Sequence, residues 1–257
     1  MDPAVEQLLR QRAAAGVPTP AQRRQGLPAP IRELHRRILA HFAATSQAPP
    51  PATLTAWAAE LNAGLQDALG RLVDADLVEA DPASGRLRGA YPFVDSPRGH
   101  QVHLPDGRTV QAYCAVDALG IPAMLDQDVT IGSHDPLTGV PISVEVRDGQ
   151  AYWEPAGVVV GYVIDHREAG AKDGPAGQAA CCRCPLINFH ASPATAQTWQ
   201  QRQGLRVELL TVPQALQLGA AAFGGLPRSQ DPADQDLSGT VATAPDTIAR
   251  HRERPTP

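Results

Sequence analysis

A chain of 257 residues can bury one sizeable core, or one core plus a small accessory domain. Hydrophobic residues make up 43% and charged residues 19%, ordinary for a globular protein, and a net charge of −5 gives no sign of a nucleic-acid or membrane surface. No apolar run approaches the roughly 20 residues needed to span a bilayer, and the N-terminus lacks the plan of a secretory signal, so the cytoplasm is the expected location.

Residues 1–27, rich in Ala, Gln, Arg and Pro, are expected to form a partly helical, partly disordered lead-in, and the pairs Arg23-Arg24 and Arg36-Arg37 read as solvated helix faces. Ile31, Leu34, Ile38, Leu39 and Phe42 then recur at helical spacing. The proline-rich stretch 47–52 ends that helix, because proline lacks a backbone donor. Thr53 is the expected cap of a short helix running through Trp57. Leu61, Leu65, Leu69 and Leu72 make one stripe of a third helix, and 77–80 and 86–88 read as short strands around a turn.

Three helices followed by a hairpin is the order of a winged-helix module, expected here over residues 28–90. Its third helix, 62–71, offers one arginine and one aspartate, a poor supply of the cationic and amide groups that phosphates and base edges require. The module is therefore read as a structural accessory or cover, without specific nucleic-acid binding.

From Tyr91 the texture changes to strands. Segments 101–104 and 108–112 pair across Asp106-Gly107, and 142–146 and 150–153 across Asp148-Gly149, since Asp-Gly suits a tight hairpin turn. Residues 158–164 read as a buried strand, 170–177 as a loop, and 194–203 and 212–223 as helices, the first introduced by Ser192-Pro193. Residues 225–257 lose all periodicity and are expected to be a disordered tail. The expected fold is α+β: a winged-helix-like helical module, then a mixed, mainly antiparallel sheet core with flanking helices over 91–224.

The chemistry concentrates in two segments. Cys114 and Asp117 are three residues apart and share a face if that segment is helical. A thiol and a carboxyl side by side can exchange a proton; from this segment alone the commoner reading is that Cys114 is a small buried residue and Asp117 a local cap. Cys181, Cys182 and Cys184 crowd into four positions, which in a reducing compartment suits metal chemistry or catalysis better than a disulfide framework. Thiolates are soft ligands, and Arg183 among them favours ionised sulfur. Taken alone, this cluster is ambiguous, fitting a reactive thiol better than a zinc or copper site.

Together the segments resemble the organomercurial (alkylmercury) lyase family. The resemblance runs through Asp106-Gly-Arg108, Ala112-Tyr-Cys-Ala-Val-Asp117, Ile121-Pro-Ala123, Ser133-His134, Thr138-Gly-Val-Pro141, Glu154-Pro-Ala-Gly157, Cys184 with Asn188-Phe-His-Ala-Ser192, and Ala194-Thr-Ala-Gln-Thr-Trp199, over about residues 27–224. It implies a winged-helix-like N-terminal part, and it places the family's first active-site cysteine on Cys114, its aspartate on Asp117 and its second cysteine on Cys184. Some members carry a further, structural cysteine where this chain has Asp135, and some follow the second cysteine with another where this chain has Pro185.

The resemblance further implies that R–Hg⁺, carried as a thiol adduct, is split to R–H and Hg(II), with Cys114, Asp117 and Cys184 meeting the mercury. No organic cofactor or resident metal is implied, and cellular thiols or a mercuric reductase would accept the ion. Tyr113 and Phe189 are expected to wall the site. The competing reading is a thiol-based metal-binding protein, a metal-responsive regulator or a metallochaperone, without lyase activity.

Overall fold

The computed structural model of the chain describes residues 1–81, 83–163 and 179–225, except for the side chains of Cys181 and Cys182. The expected loop at 170–177 lies outside these residues, as does the expected tail from residue 226 on.

The first 27 residues are more ordered than their composition suggests. Helix α1, Pro3–Ala14, is capped by Asp2, whose carboxylate accepts from the Ala4 N–H, and it buries Val5 and Leu8. Helix α2, Pro20–Gln25, starts with a reciprocal Thr19–Gln22 capping box.

Helix α3, Ala29–Thr45, buries Ile31, Leu34, Ile38, Leu39 and Phe42, the residues whose spacing predicts it. Helix α4, Pro51–Glu60, corrects the expected cap: the helix begins at Pro51, whose ring presets the first helical φ, and Thr53 lies inside it. Helix α5, Leu65–Asp74, starts three residues later than expected, because Asn62 adopts a left-handed φ of 52° and Gly64 takes the N-cap.

Strands β1 (Val78–Ala80) and β2 (Leu87–Ala90) form the expected hairpin, but not a free-standing one. Strand β2 continues into β3 (Phe93–Val94), which pairs with β5 (Thr109–Ala112), so the hairpin edges the main sheet. With β4 (His100–His103), β6 (Val129–His134), β7 (Pro141–Arg147) and β8 (Gln150–Glu154), the strand order is β1-β2-β3-β5-β4-β6-β7-β8. Every pairing in it is antiparallel, so among the described residues the sheet is not mixed. Asp148 and Gly149 both take positive φ, 50° and 72°, which makes the two-residue β7–β8 turn follow the strand twist.

A second sheet, β10-β9-β11, joins Asn188–His190, Val159–Tyr162 and Glu208–Thr211, again antiparallel. Helix α6, Ala115–Leu125, is buried on nearly every side, as its apolar sequence demands. It packs on α9, Val212–Phe223, with glycine at the crossing. A Cβ on Gly219 would stand 2.7 Å from the Gly120 nitrogen, and one on Gly120 would collide with the Phe223 ring. A short helix α7, Ala179–Cys182, precedes β10, and α8, Pro193–Gln203, is capped by Ser192. No helix among the described residues is long and apolar enough to cross a membrane.

Candidate active site

Strand β5 ends at Ala112 and the chain turns into α6 with Cys114 as N-cap, its φ extended at −152°. The Cys114 Sγ accepts the backbone N–H of Asp117 at 3.4 Å, so one local bond sets both residues of the expected pair side by side. Cys184 opens a 3-10 turn, Cys184–Leu186, and arrives from the other side. The Ala115 N–H donates to the Ile187 carbonyl at 3.1 Å and ties the two segments together. Cys184 Sγ stands 3.7 Å from Asp117 Oδ2. The two sulfurs and a carboxylate oxygen all lie within 4.8 Å of one another, and all three residues are buried.

Burial dominates the electrostatics. It pushes the Asp117 carboxyl up to about 7, against the opposing pull of the Cys114 and Cys184 thiols and the Arg183 guanidinium. Burial likewise pushes the Cys114 thiol up, aided by the neighbouring Cys184 and Asp117. For Cys184 the hydrogen bond with Cys114 is the largest influence and pulls its thiol down. Burial and the Asp117 charge nevertheless leave it raised, with Arg183 opposing them. Near neutral pH the site thus holds two soft, mostly protonated sulfurs beside a carboxyl poised to take or give a proton.

The cluster lines a cavity of about 50 Å³, whose walls include Val116, Ile187, Ala222 and Phe223. Tyr113 and Phe189, the expected walls, do not line this cavity, although Tyr113 packs on Tyr91 with ring centroids 4.8 Å apart. The Tyr113 hydroxyl donates to Glu79 Oε2 at 2.7 Å, with its ring against Gly89, where a Cβ would collide. Phe189 packs edge-on to His100, centroids 5.8 Å apart. Tyr91 takes the wall position instead.

Sequence reasoning missed the polar frame. Asp76, between α5 and β1, accepts from the Tyr91 hydroxyl at 3.1 Å and from the Ala179 N–H at 3.0 Å, and forms an ion pair with Arg23. The Ala180 N–H donates to the Tyr91 hydroxyl at 2.7 Å. Ala179 lies 103 residues from Asp76, so no local pattern announces the bond. Asp135 is buried and accepts from the N–H groups of Leu137, Thr138 and Ala191 at 2.8, 3.0 and 2.7 Å, joining the β6–β7 turn to the residue after β10.

Comparison with known proteins agrees with this architecture. The family model described as MerB, alkylmercury lyase, matches residues 93–224, just over half of the chain and the part containing Cys114, Asp117 and Cys184. The alkylmercury lyase of Staphylococcus epidermidis is 31% identical over 143 residues, 55% of this chain and 61% of that protein. That of Bacillus cereus is 32% identical over 145 residues, 55% of this chain and 60% of that protein. The chain thus matches about 60% of the length of these curated relatives. A solved structure titled as the mercury-bound form of MerB2 superimposes with a TM-score of 0.66 at 23% identity, covering 81% of this chain and 96% of that one, which shows a shared fold. On the family match, the chain belongs to the alkylmercury lyase family.

Proposed function

We propose that the protein is an organomercurial lyase that converts R–Hg⁺, delivered as a thiol adduct, to R–H and Hg(II). The observation that carries this reading is the buried Cys114–Asp117–Cys184 cluster, with a carboxyl near pKa 7 at 3.7 Å from a thiol. A pure metal-binding site would be served by ionised ligands; a carboxyl tuned to neutrality suits proton transfer.

The atoms balance as follows. Cys114 attacks mercury and displaces the carrier thiolate, while Asp117 accepts the Cys114 proton. The Cys184 sulfur then joins, and its proton leaves with the carrier thiol. Two thiolates push electron density through mercury onto carbon and weaken that bond. Asp117 returns its proton to the carbon as general acid, so the carbon–mercury pair of electrons becomes the new C–H bond. Hg(II) remains on Cys114 and Cys184, with Asp117 beside it, until cellular thiols or a mercuric reductase take it. No organic cofactor or resident metal enters the scheme.

In the same reading, residues 91–224 form the catalytic domain and 28–90 a winged-helix-like module with a structural role. The pairing of its hairpin to β3 supports that role, since both strands are committed to the sheet or its edge and not to a groove of DNA. A cytoplasmic location suits free thiols.

The test is turnover of phenylmercury with excess thiol. A lyase releases many equivalents of benzene per protein; a sensor or chaperone binds one equivalent and releases none.

A further inference from the structure

The cavity beside the three reacting side chains carries more positive charge than the cleavage uses. Three guanidiniums line it: Arg12 from α1, Arg23 from α2, and Arg183 next to Cys184. Two carboxyls line it as well, Asp76 and Asp117. Asp76 is committed to Arg23. Asp117 is engaged with the thiols, its Oδ2 standing 3.7 Å from Cys184 Sγ. Arg12 and Arg183 therefore face the cavity with no carboxylate within 4.0 Å among the described residues.

Arg12 is only 8% exposed, yet few of its donors are used. One amino group donates to the Tyr162 hydroxyl, the other to the Pro18 carbonyl at 3.3 Å, and the guanidinium carbon sits 5.9 Å from the Tyr162 ring centre. Its Nε is buried with no acceptor. A buried cation with an unmade hydrogen bond is costly, so its retention at a cavity wall points to a ligand that completes it. The planar fork of a guanidinium matches a carboxylate. The thiol adduct R–Hg–SR′ is neutral and offers the guanidiniums no counter-charge, whereas an adduct that carries a carboxylate does. The same cavity wall includes the apolar Val116, Ile187, Ala222 and Phe223, a surface for hydrocarbon.

We propose that Arg12 and Arg183 form an anion subsite that receives a carboxylate carried by the organomercury–thiol adduct, on its organic group or on its carrier thiol. For its mercury end the subsite rests on the lyase reading. General electrostatic attraction cannot stand in for it, because the whole chain carries −5 and repels anions at long range.

The experiment compares three adducts on the intact chain: phenylmercury with 2-mercaptoethanol, 4-carboxyphenylmercury with 2-mercaptoethanol, and phenylmercury with 3-mercaptopropionate. Two rates are read for each, the passage of mercury onto the protein, by mercury–thiolate absorbance, and hydrocarbon release. A gain of about tenfold for at least one carboxylate adduct over the neutral one is expected, and the arm that shows it identifies which half brings the carboxylate. Arg12→Gln should lower that carboxylate-to-neutral ratio several-fold, and Arg12→Lys should restore part of it. Because the ratio is taken within one folded sample, a loss of stability does not imitate the effect. Equal rates for all three adducts overturn the subsite, as does a ratio unmoved by both Arg12→Gln and Arg183→Gln. If no hydrocarbon appears in any arm, the lyase reading fails, while the mercury-transfer ratio still decides the subsite.

Discussion

The Asp76 carboxylate accepts the Ala179 backbone N–H at 3.0 Å, a bond that fastens the helical N-terminal part of the chain to the segment carrying Cys184. The same oxygen takes the Tyr91 hydroxyl, and the other oxygen pairs with Arg23 of α2. Both charged side chains are largely buried, 13% and 11% exposed for Arg23 and Asp76, so removing one leaves the other uncompensated. Asp76→Ala is expected to cost about 3 kcal/mol in urea denaturation. Asp76→Asn, which keeps an acceptor for Ala179 but loses the ion pair, should cost less. Stability of Asp76→Ala equal to wild type would show that the clasp contributes nothing.

Asp117 separates a lyase from a binder. Asp117→Asn keeps both sulfurs but has no proton to give, so organomercury should accumulate on the protein uncleaved. General acid–base catalysis contributes typically 10²–10⁴-fold, and a loss of about that size in single-turnover cleavage is expected. Folded Asp117→Asn that cleaves at the wild-type rate would sink the proposed mechanism.

The same residue gives a pH signature in stability. Its carboxyl is held at about 7 in the folded chain, above its ordinary value of 3.8. Between those two values the unfolded chain ionises first while the native state keeps its proton, so the native state binds more protons and wild-type stability falls as pH rises. The slope is at most about 1.4 kcal/mol per pH unit. Asp117→Asn lacks this penalty, so its stability relative to wild type should improve steadily from pH 4 to 7 and level off above. A difference that does not change over that range would mean that Asp117 titrates alike in both states.

Cys184 is placed beside Asp117, while Cys181 and Cys182 lie in and at the end of α7. Cys184→Ser is expected to abolish multiple turnover, whereas Cys181→Ser and Cys182→Ser keep most of it. Should Cys182→Ser be the inactive variant, the second sulfur belongs two residues earlier.

Helix α6 carries Asp117, and its seat against α9 depends on bare backbone. A Cβ on Gly219 would meet the Gly120 nitrogen, the Leu119 carbonyl carbon and the Val116 oxygen at 2.7, 2.9 and 2.9 Å, all rigid atoms. Gly219→Ala should therefore destabilise by about 1–3 kcal/mol, as overpacking does. Thermal melting checks this, and an unchanged melting temperature would mean that the helices separate without cost.

Local physics was legible in the residues alone. The stripe Ile31–Leu34–Ile38–Leu39–Phe42 gives α3 because one face of a 3.6-residue period must leave water. Asp148-Gly149 gives the β7–β8 turn because both residues tolerate positive φ. Cys114 and Asp117 meet because three residues span one helical turn. What lay beyond reach depends on distant parts of the chain. The three-residue β10 has too little pattern to announce itself, and it forms only because β9 offers an edge. The sequence resemblance pointed to Cys184 as a partner, but its approach to Asp117, 67 residues away, is made by the second sheet and the Ala115–Ile187 bond. The walls went to Tyr91 and the N-terminal arginines, not to Tyr113 and Phe189, because side chains adjacent in sequence point in different directions once strands pair. Spacing offered candidate groups and the family resemblance chose among them, whereas only tertiary packing decided their burial, and burial is what brings a carboxyl to neutrality and leaves an arginine facing a cavity.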